Sequence, residues 1–126
     1  MDEEHRAVRQ TAREFAESEL RPIVLEWESE REFPDRILES FSELAMRGFR
    51  VDPEYGGNGM DMLAHVVVVE EISKVWPSAG FKLSEPLIRA INAFGNERQK
   101  REFLPQLTSG DAVDAIALSE PDHGTD

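Results

Sequence analysis

Apolar residues recur at helical spacing along most of the chain. In the first segment they fall at Val8, Ala12, Phe15, Ala16 and Leu20, with acids gathered at its start, where a helix dipole favours them. Pro22 should interrupt this helix, because it lacks an N–H and its ring opposes the preceding turn. A short second helix carries Ile23, Val24 and Trp27 on one side. Arg31-Glu32-Phe33-Pro34-Asp35 restarts the chain, since proline fits a first helical turn. Ile37, Leu38, Phe41, Leu44 and Ala45 make the next stripe, with Gly48 as its stop. Asp52-Pro53-Glu54-Tyr55-Gly56-Gly57-Asn58-Gly59 concentrates turn formers and predicts a loop over 49–60.

Asp61 is placed to cap a helix bearing Leu63, Val66 to Val69, Ile72, Val75 and Trp76. Four valines in a row also suit a buried strand. The cap and the length up to Pro77 favour a helix buried on most sides. A further helix is expected from Phe81 to Phe94, holding Leu83, Leu87, Ile88 and Ile91 and closed by Gly95. Asn96 and Gln99 have the spacing of a capping box. Phe103, Leu104 and Leu107 form the inner face of the last helix, whose end Pro105 should distort and Gly110 should finish.

The period then changes. Ala112 to Leu118 alternates, with Val113, Ala115 and Ala117 opposite Asp114, Ile116 and Leu118, which predicts a strand followed by a turn over 119–126. A lone strand leaves its backbone groups unpaired, so the expectation is that its partners lie beyond the chain. The expected fold class is therefore all-α. It is an orthogonal or up-down bundle of about six helices over residues 1–110, with a short extended segment, 111–126, whose pairing partners are missing.

Composition narrows the function classes. At 126 residues, 40% of them hydrophobic, the chain fits one domain with a real core. No apolar run approaches the roughly 18 residues that span a bilayer. The start, Met1-Asp2-Glu3-Glu4, is acidic where a signal peptide would be basic. The lack of cysteine excludes disulfides and thiolate chemistry and makes a cytoplasmic location the expectation. A net charge of -12 argues against nucleic-acid and membrane-surface partners. That excess fits either an ordinary acidic protein or adaptation to high salt, where carboxylates hold water. Lysine occurs only at Lys74, Lys82 and Lys100, arginine supplying the rest of the 14 basic residues, which leans toward the halophilic reading.

Chemistry-bearing patterns are sparse. Glu70 and Glu71 are adjacent on one helix and point apart, and the acids in general read as solvated faces. His5, His65 and His123 lack the spacing of a helical metal site, so no metal is expected, and each reads as a satisfied or exposed side chain. No serine stands in a nucleophile elbow. Trp27 and Trp76 read as core or interface anchors. The glycine loop lacks the lysine of a phosphate cradle.

Three stretches go beyond generic helix. Phe49 to Asp61, containing Pro53-Glu54-Tyr55-Gly56-Gly57-Asn58-Gly59, resembles the Pro-Glu-x-Gly-Gly-x-Gly loop of acyl-CoA dehydrogenases. Phe94 to Gly110 resembles that family's Phe-Gly-x-x-x-Gln-Lys…Leu-Pro-x-Leu-x-x-Gly run. Ala117-Leu118-Ser119-Glu120-Pro121-Asp122-His123-Gly124-Thr125-Asp126 resembles its flavin signature. The resemblance spans essentially the whole chain. It implies the N-terminal helical domain of an enzyme that also has a middle β-domain and a C-terminal four-helix bundle.

That enzyme class oxidises acyl-CoA to trans-2-enoyl-CoA with FAD and passes electrons to an electron-transfer flavoprotein. The resemblance places Ile116, Leu118, Ser119, Gly124 and Thr125 at the flavin. Leu118 would offer backbone contacts, and the Ser119 hydroxyl would face the ring edge where reduction builds negative charge. Ile116 stands where many relatives carry an aromatic. Thr125 would also approach the acyl-CoA, with Leu83, Leu87 and Ala90 as acyl-pocket candidates. The family's catalytic glutamate falls beyond Asp126, so no residue here is assigned as catalytic base. The fragment by itself is expected to be inactive, to retain no FAD, and to self-associate through the surface left uncovered. The competing expectation is a non-catalytic helical interaction module built on the same scaffold.

Overall fold

The computed structural model describes residues 1–30 and 33–125. Arg31 and Glu32 of the expected helix restart, and Asp126 of the signature, lie outside them. Helix α1 spans Glu3–Phe15. Its amino end is closed by a reciprocal cap, in which Asp2 accepts from the His5 N–H at 3.0 Å and donates its own N–H to His5 Nδ1 at 3.4 Å. The helix continues as a wider π-type turn over Ala16–Leu20, where the Arg21 N–H reaches back five residues to the Ala16 carbonyl at 2.9 Å. Pro22 explains the widening, since its ring would strike the carbonyl of residue 18 in a regular helix. Helix α2 (Val24–Glu30) follows, then α3 (Asp35–Glu43).

Helix α3 stops before the expected Gly48. The Met46 N–H bonds the Phe41 carbonyl at 2.7 Å and the Ala45 N–H bonds Ser42 at 3.0 Å, while Ala45 adopts φ 53°. This is the left-handed helix end that usually uses glycine. Leu44 and Ala45 are exposed as a result, and the reversal returns Met46 and Phe49, each 2% exposed, to the core. In the loop that follows, a Cβ on Gly57 would collide with the Val51 backbone, so only glycine fits that close approach.

Helix α4 (Met62–Val75) is capped by Asp61, which accepts from the Ala64 N–H at 2.9 Å. The valine run is helical, as expected, but Val67 and Val68 are buried while Val66 is 51% exposed, so α4 is covered mainly on one side. The single helix expected over Phe81–Phe94 is divided into α5 (Pro77–Lys82) and α6 (Pro86–Phe94). Pro86 disfavours right-handed helix at the residue before it, and Glu85 sits at φ 51°. Helix α7 (Glu97–Ser109) carries the expected Asn96/Gln99 box, runs unbroken past Pro105, and ends at Gly110 with φ 88°.

The larger core joins α1, α3, α4 and α5 through Ala12, Phe15, Leu20, Phe41, Ile72 and Trp76. Phe15 and Phe41 meet edge-to-face at 5.7 Å. A smaller core of Val51, Tyr55, Ile88, Leu104 and Leu107 fastens α6 and α7 to the loop. Among the described residues there is no strand ladder. Residues 113–119 are neither helical nor paired, and one isolated bridge, Glu120 to His123, closes the turn around Pro121-Asp122. The alternation in this segment had suggested a strand, but no second strand lies beside it to complete a ladder. No helix among the described residues is long and apolar enough to cross a membrane.

Candidate functional site

Glu85 breaks the α5–α6 register, and this opens a cleft between α3, the α5–α6 junction and the C-terminal segment. Its volume is about 290 Å³. Leu38 and Phe41 form its floor from α3, Phe81, Lys82, Ser84 and Pro86 one wall, and Val113 to Ile116 the other. The lining is mostly apolar, as a site for an aliphatic chain requires, with Arg47, Lys82 and Asp114 as its charged members.

The expected site residues divide between this cleft and other places. Ile116, 61% exposed, lines the cleft. Leu118, Ser119, Gly124 and Thr125 lie further along the same segment, all exposed, and nothing stands within 4 Å of where a Gly124 side chain would be. Leu87 and Ala90 sit on a different surface, a shallow groove of about 390 Å³ shared with Ile91, Phe94 and Phe103. Leu83 is 1% exposed and belongs to the larger core, where its carbonyl accepts from His65 Nε2 at 2.8 Å. The three acyl-pocket candidates therefore do not share one site. Phe81, Lys82 and Pro86, which the sequence reading passed over, face Ile116 instead. Pro86 was the available signal, because it breaks the α5–α6 run and turns that junction toward the last segment.

The polar residues beside the cleft were also missed. Arg47 has only 5% of its side chain exposed. Its Nε is 3.9 Å from Glu85 Oε1 and its Nη2 is 3.8 Å from Asp114 Oδ1, both beyond hydrogen-bond reach. Nε is buried with no hydrogen-bond partner. Glu85 Oε1 accepts from the Gly48 N–H at 2.8 Å, and Asp114 Oδ2 accepts from the Leu87 N–H at 3.3 Å. Burial pushes the Glu85 carboxyl up to about 7, against the opposing pull of the Gly48 N–H and Arg47. An acid inside the otherwise apolar alternation of 112–118 was the sequence signal for Asp114.

Two histidines, His5 and His65, have side-chain partners, and His123 is exposed. His5 Nε2 lies 2.9 Å from Asp61 Oδ1, chiefly this contact raising the His5 pKa. Burial lowers that of His65, whose Nε2 donates to the Leu83 carbonyl. Among the described residues no cluster of His, Cys, Asp and Glu is arranged to hold a metal ion.

Residues 2–111 match the family described as acyl-CoA dehydrogenase, N-terminal domain. The chain is 39% identical over 126 residues to the short-chain-specific acyl-CoA dehydrogenase of Clostridium acetobutylicum, covering 98% of this chain and 33% of that protein. A chain in the solved structure of the electron transferring flavoprotein of Acidaminococcus fermentans superposes with a TM-score of 0.92 and 34% identity, over 99% of this chain and 34% of that one. The glutaryl-CoA dehydrogenase of Mycobacterium smegmatis, in complex with FADH2, gives 0.90 and 28% identity, over 98% and 33%. The chain thus spans about a third of the length of the relatives it matches. With the helical fold, the capped α7 and the Gly-rich loop all in place, the chain belongs to the acyl-CoA dehydrogenase family, as its N-terminal domain.

Proposed function

We propose that this chain supplies the helical wall of the acyl-CoA and flavin site of an FAD-dependent acyl-CoA dehydrogenase. The carrying observation is the apolar cleft in which Phe81, Lys82 and Pro86 face Ile116, at the head of the exposed Leu118–Thr125 stretch. The acyl chain lies along Phe81 and Pro86, which exclude water from it. The segment's chemistry fits a flavin edge. Ser119 is exposed, and among the described residues the backbone of 113–119 is not engaged in a ladder. The space around Gly124 admits close approach to its backbone.

Ile116, Leu118, Ser119, Gly124 and Thr125 would hold the flavin, and Thr125 would also approach the thioester. The bound flavin supplies the hydride acceptor for α,β-desaturation. Ser119 contributes a fixed donor where charge develops on reduction, an arrangement that costs no reorganisation during the step. No glutamate of the described chain faces into the cleft as a base, because the Glu85 carboxylate is directed at Gly48 and Arg47. The base comes from elsewhere in the enzyme, and an electron-transfer flavoprotein takes the electrons.

The test is a dye-coupled dehydrogenase assay over a series of acyl-CoA lengths, using the full product of the gene that encodes this chain. Phe81 is 74% exposed, so Phe81→Ala should leave folding intact. It should lower kcat/KM for the preferred acyl-CoA about tenfold through lost apolar contact. No turnover with any acyl-CoA, or a Phe81→Ala profile identical to the parent's, contradicts the reading.

A further inference from the structure

Three ionisable side chains from three parts of the chain meet beside the cleft: Arg47 after α3, Glu85 before α6, and Asp114 in the last segment. The backbone of that segment is tied to α7 at its start and closes only on itself at its far end. The Ala112 N–H bonds the Gln106 carbonyl at 2.9 Å, and Glu120 and His123 close on each other. Between those points the described residues record no backbone hydrogen bond from the segment to the helices. Val113, Ile116 and Leu118 are 66%, 61% and 84% exposed, whereas only 11% of the Asp114 side chain is.

The amino end of α6 explains what draws Asp114 in. Glu85, at the cap position, makes no side-chain cap bond, so the end of this helix lacks a local acceptor. Asp114 supplies one from 27 residues away by accepting from the Leu87 N–H, and its charge suits the helix dipole. The buried guanidinium of Arg47 adds an opposite charge 3.8 Å away.

We propose that Asp114 is the positioning residue of the flavin-facing segment, clamped between buried Arg47 and the amino end of α6, and that Glu85 competes with it for Arg47. The proposal rests on the dehydrogenase reading for what the segment faces, but not for how it is held. The groups facing Glu85 are Arg47 and the Gly48 N–H from the α3–α4 loop, Arg89 from α6, and Asp114. Arg50 and His65 share a small pocket with it, and Lys82 lines the cleft on the far side. Glu85 is neutral below about pH 7, which leaves Arg47 to Asp114 alone. As pH rises, a second carboxylate forms beside Arg47, repels Asp114 and loosens the clamp.

The test is 15N relaxation of the 126-residue chain at pH 6 and pH 8, with no flavin or acyl-CoA present, so that its outcome is independent of the dehydrogenase assignment. Backbone order parameters of Val113–Ala115 should be near those of rigid structure at pH 6 and fall at pH 8. Asp114→Asn should drop them toward the flexible range, below about 0.6, at both pH values. Glu85→Gln should hold the pH 6 value at pH 8, a result that a purely structural Asp114 would not give. Should Asp114→Asn disturb the helices themselves, the pH profile of Glu85→Gln against wild type decides. Order parameters unchanged in Asp114→Asn with intact helices, or a pH dependence that persists in Glu85→Gln, overturn the proposal.

Discussion

Glu71 and Glu85 are both buried acids, and their surroundings push them in opposite directions. Glu71, 3% exposed, accepts from Arg13 Nε at 3.1 Å and Lys74 Nζ at 2.9 Å, and these partners hold its carboxyl down to about 2. An acid lowered in the folded state stabilises above its ordinary value of 4.5, and that contribution is lost as pH falls toward 2. Arg13 and Lys74 are about half exposed and recover water when the pair is broken. Glu71→Gln should therefore cost about 1.5–3 kcal/mol at pH 7 in urea unfolding, and less below pH 4. Glu85 carries the reverse sign. Its folded form binds a proton more tightly than the unfolded chain, so its contribution declines as pH rises from 4.5 to about 7. Glu85→Gln should flatten that decline and raise stability at pH 8 by on the order of 1–3 kcal/mol. Neither acid stood out from composition. Glu71 was legible in principle, because it falls four residues after Val67 and three after Val68 on the buried stripe of α4.

At the scale of elements, helix starts were easier to read than helix stops. The caps at Asp61 and Asn96 are local signals, each set by one side chain and the N–H three residues on. Asn96→Ala should cost about 1 kcal/mol and lower the melting temperature followed by circular dichroism. The stop of α3 depended on distant burial, whereas Gly95 and Gly110 ended α6 and α7 as local signals. Ala45 ends α3 because Met46 and Phe49 must return to the core, a demand invisible within residues 35–48. The division at Glu85 was legible from Pro86, but the continuing apolar period through Leu83, Leu87 and Ile88 masked it. Packing of α4 on α5 depends on Gly80, where a Cβ would collide with Ser73 Oγ and come within 3.3 Å of its Cα. Gly80→Ala should destabilise by about 1–3 kcal/mol through overpacking, read as a lower urea midpoint with an unchanged slope.

For the whole molecule, the all-α class followed from periodicity, and the family followed from three ordered motifs. The cleft did not, because it forms where residues distant in sequence converge: α3, the α5–α6 junction and the last segment. The register of Leu83, Leu87 and Ala90 could not reveal which face of α6 meets that segment. The molecule also leaves Phe94 90%, Phe103 38% and Leu87 39% exposed on one groove. Such a surface favours association. Light scattering of the 126-residue chain should show mass rising with concentration, and a monomer at every concentration would contradict this. The most direct measurement of the central claim is a structure of the full gene product bound to a short-chain acyl-CoA. The acyl chain should lie between Phe81, Pro86 and the flavin, with the flavin edge against Leu118–Ser119. An acyl chain lodged instead in the Leu87–Phe94–Phe103 groove, or a flavin remote from Ser119, would contradict that claim.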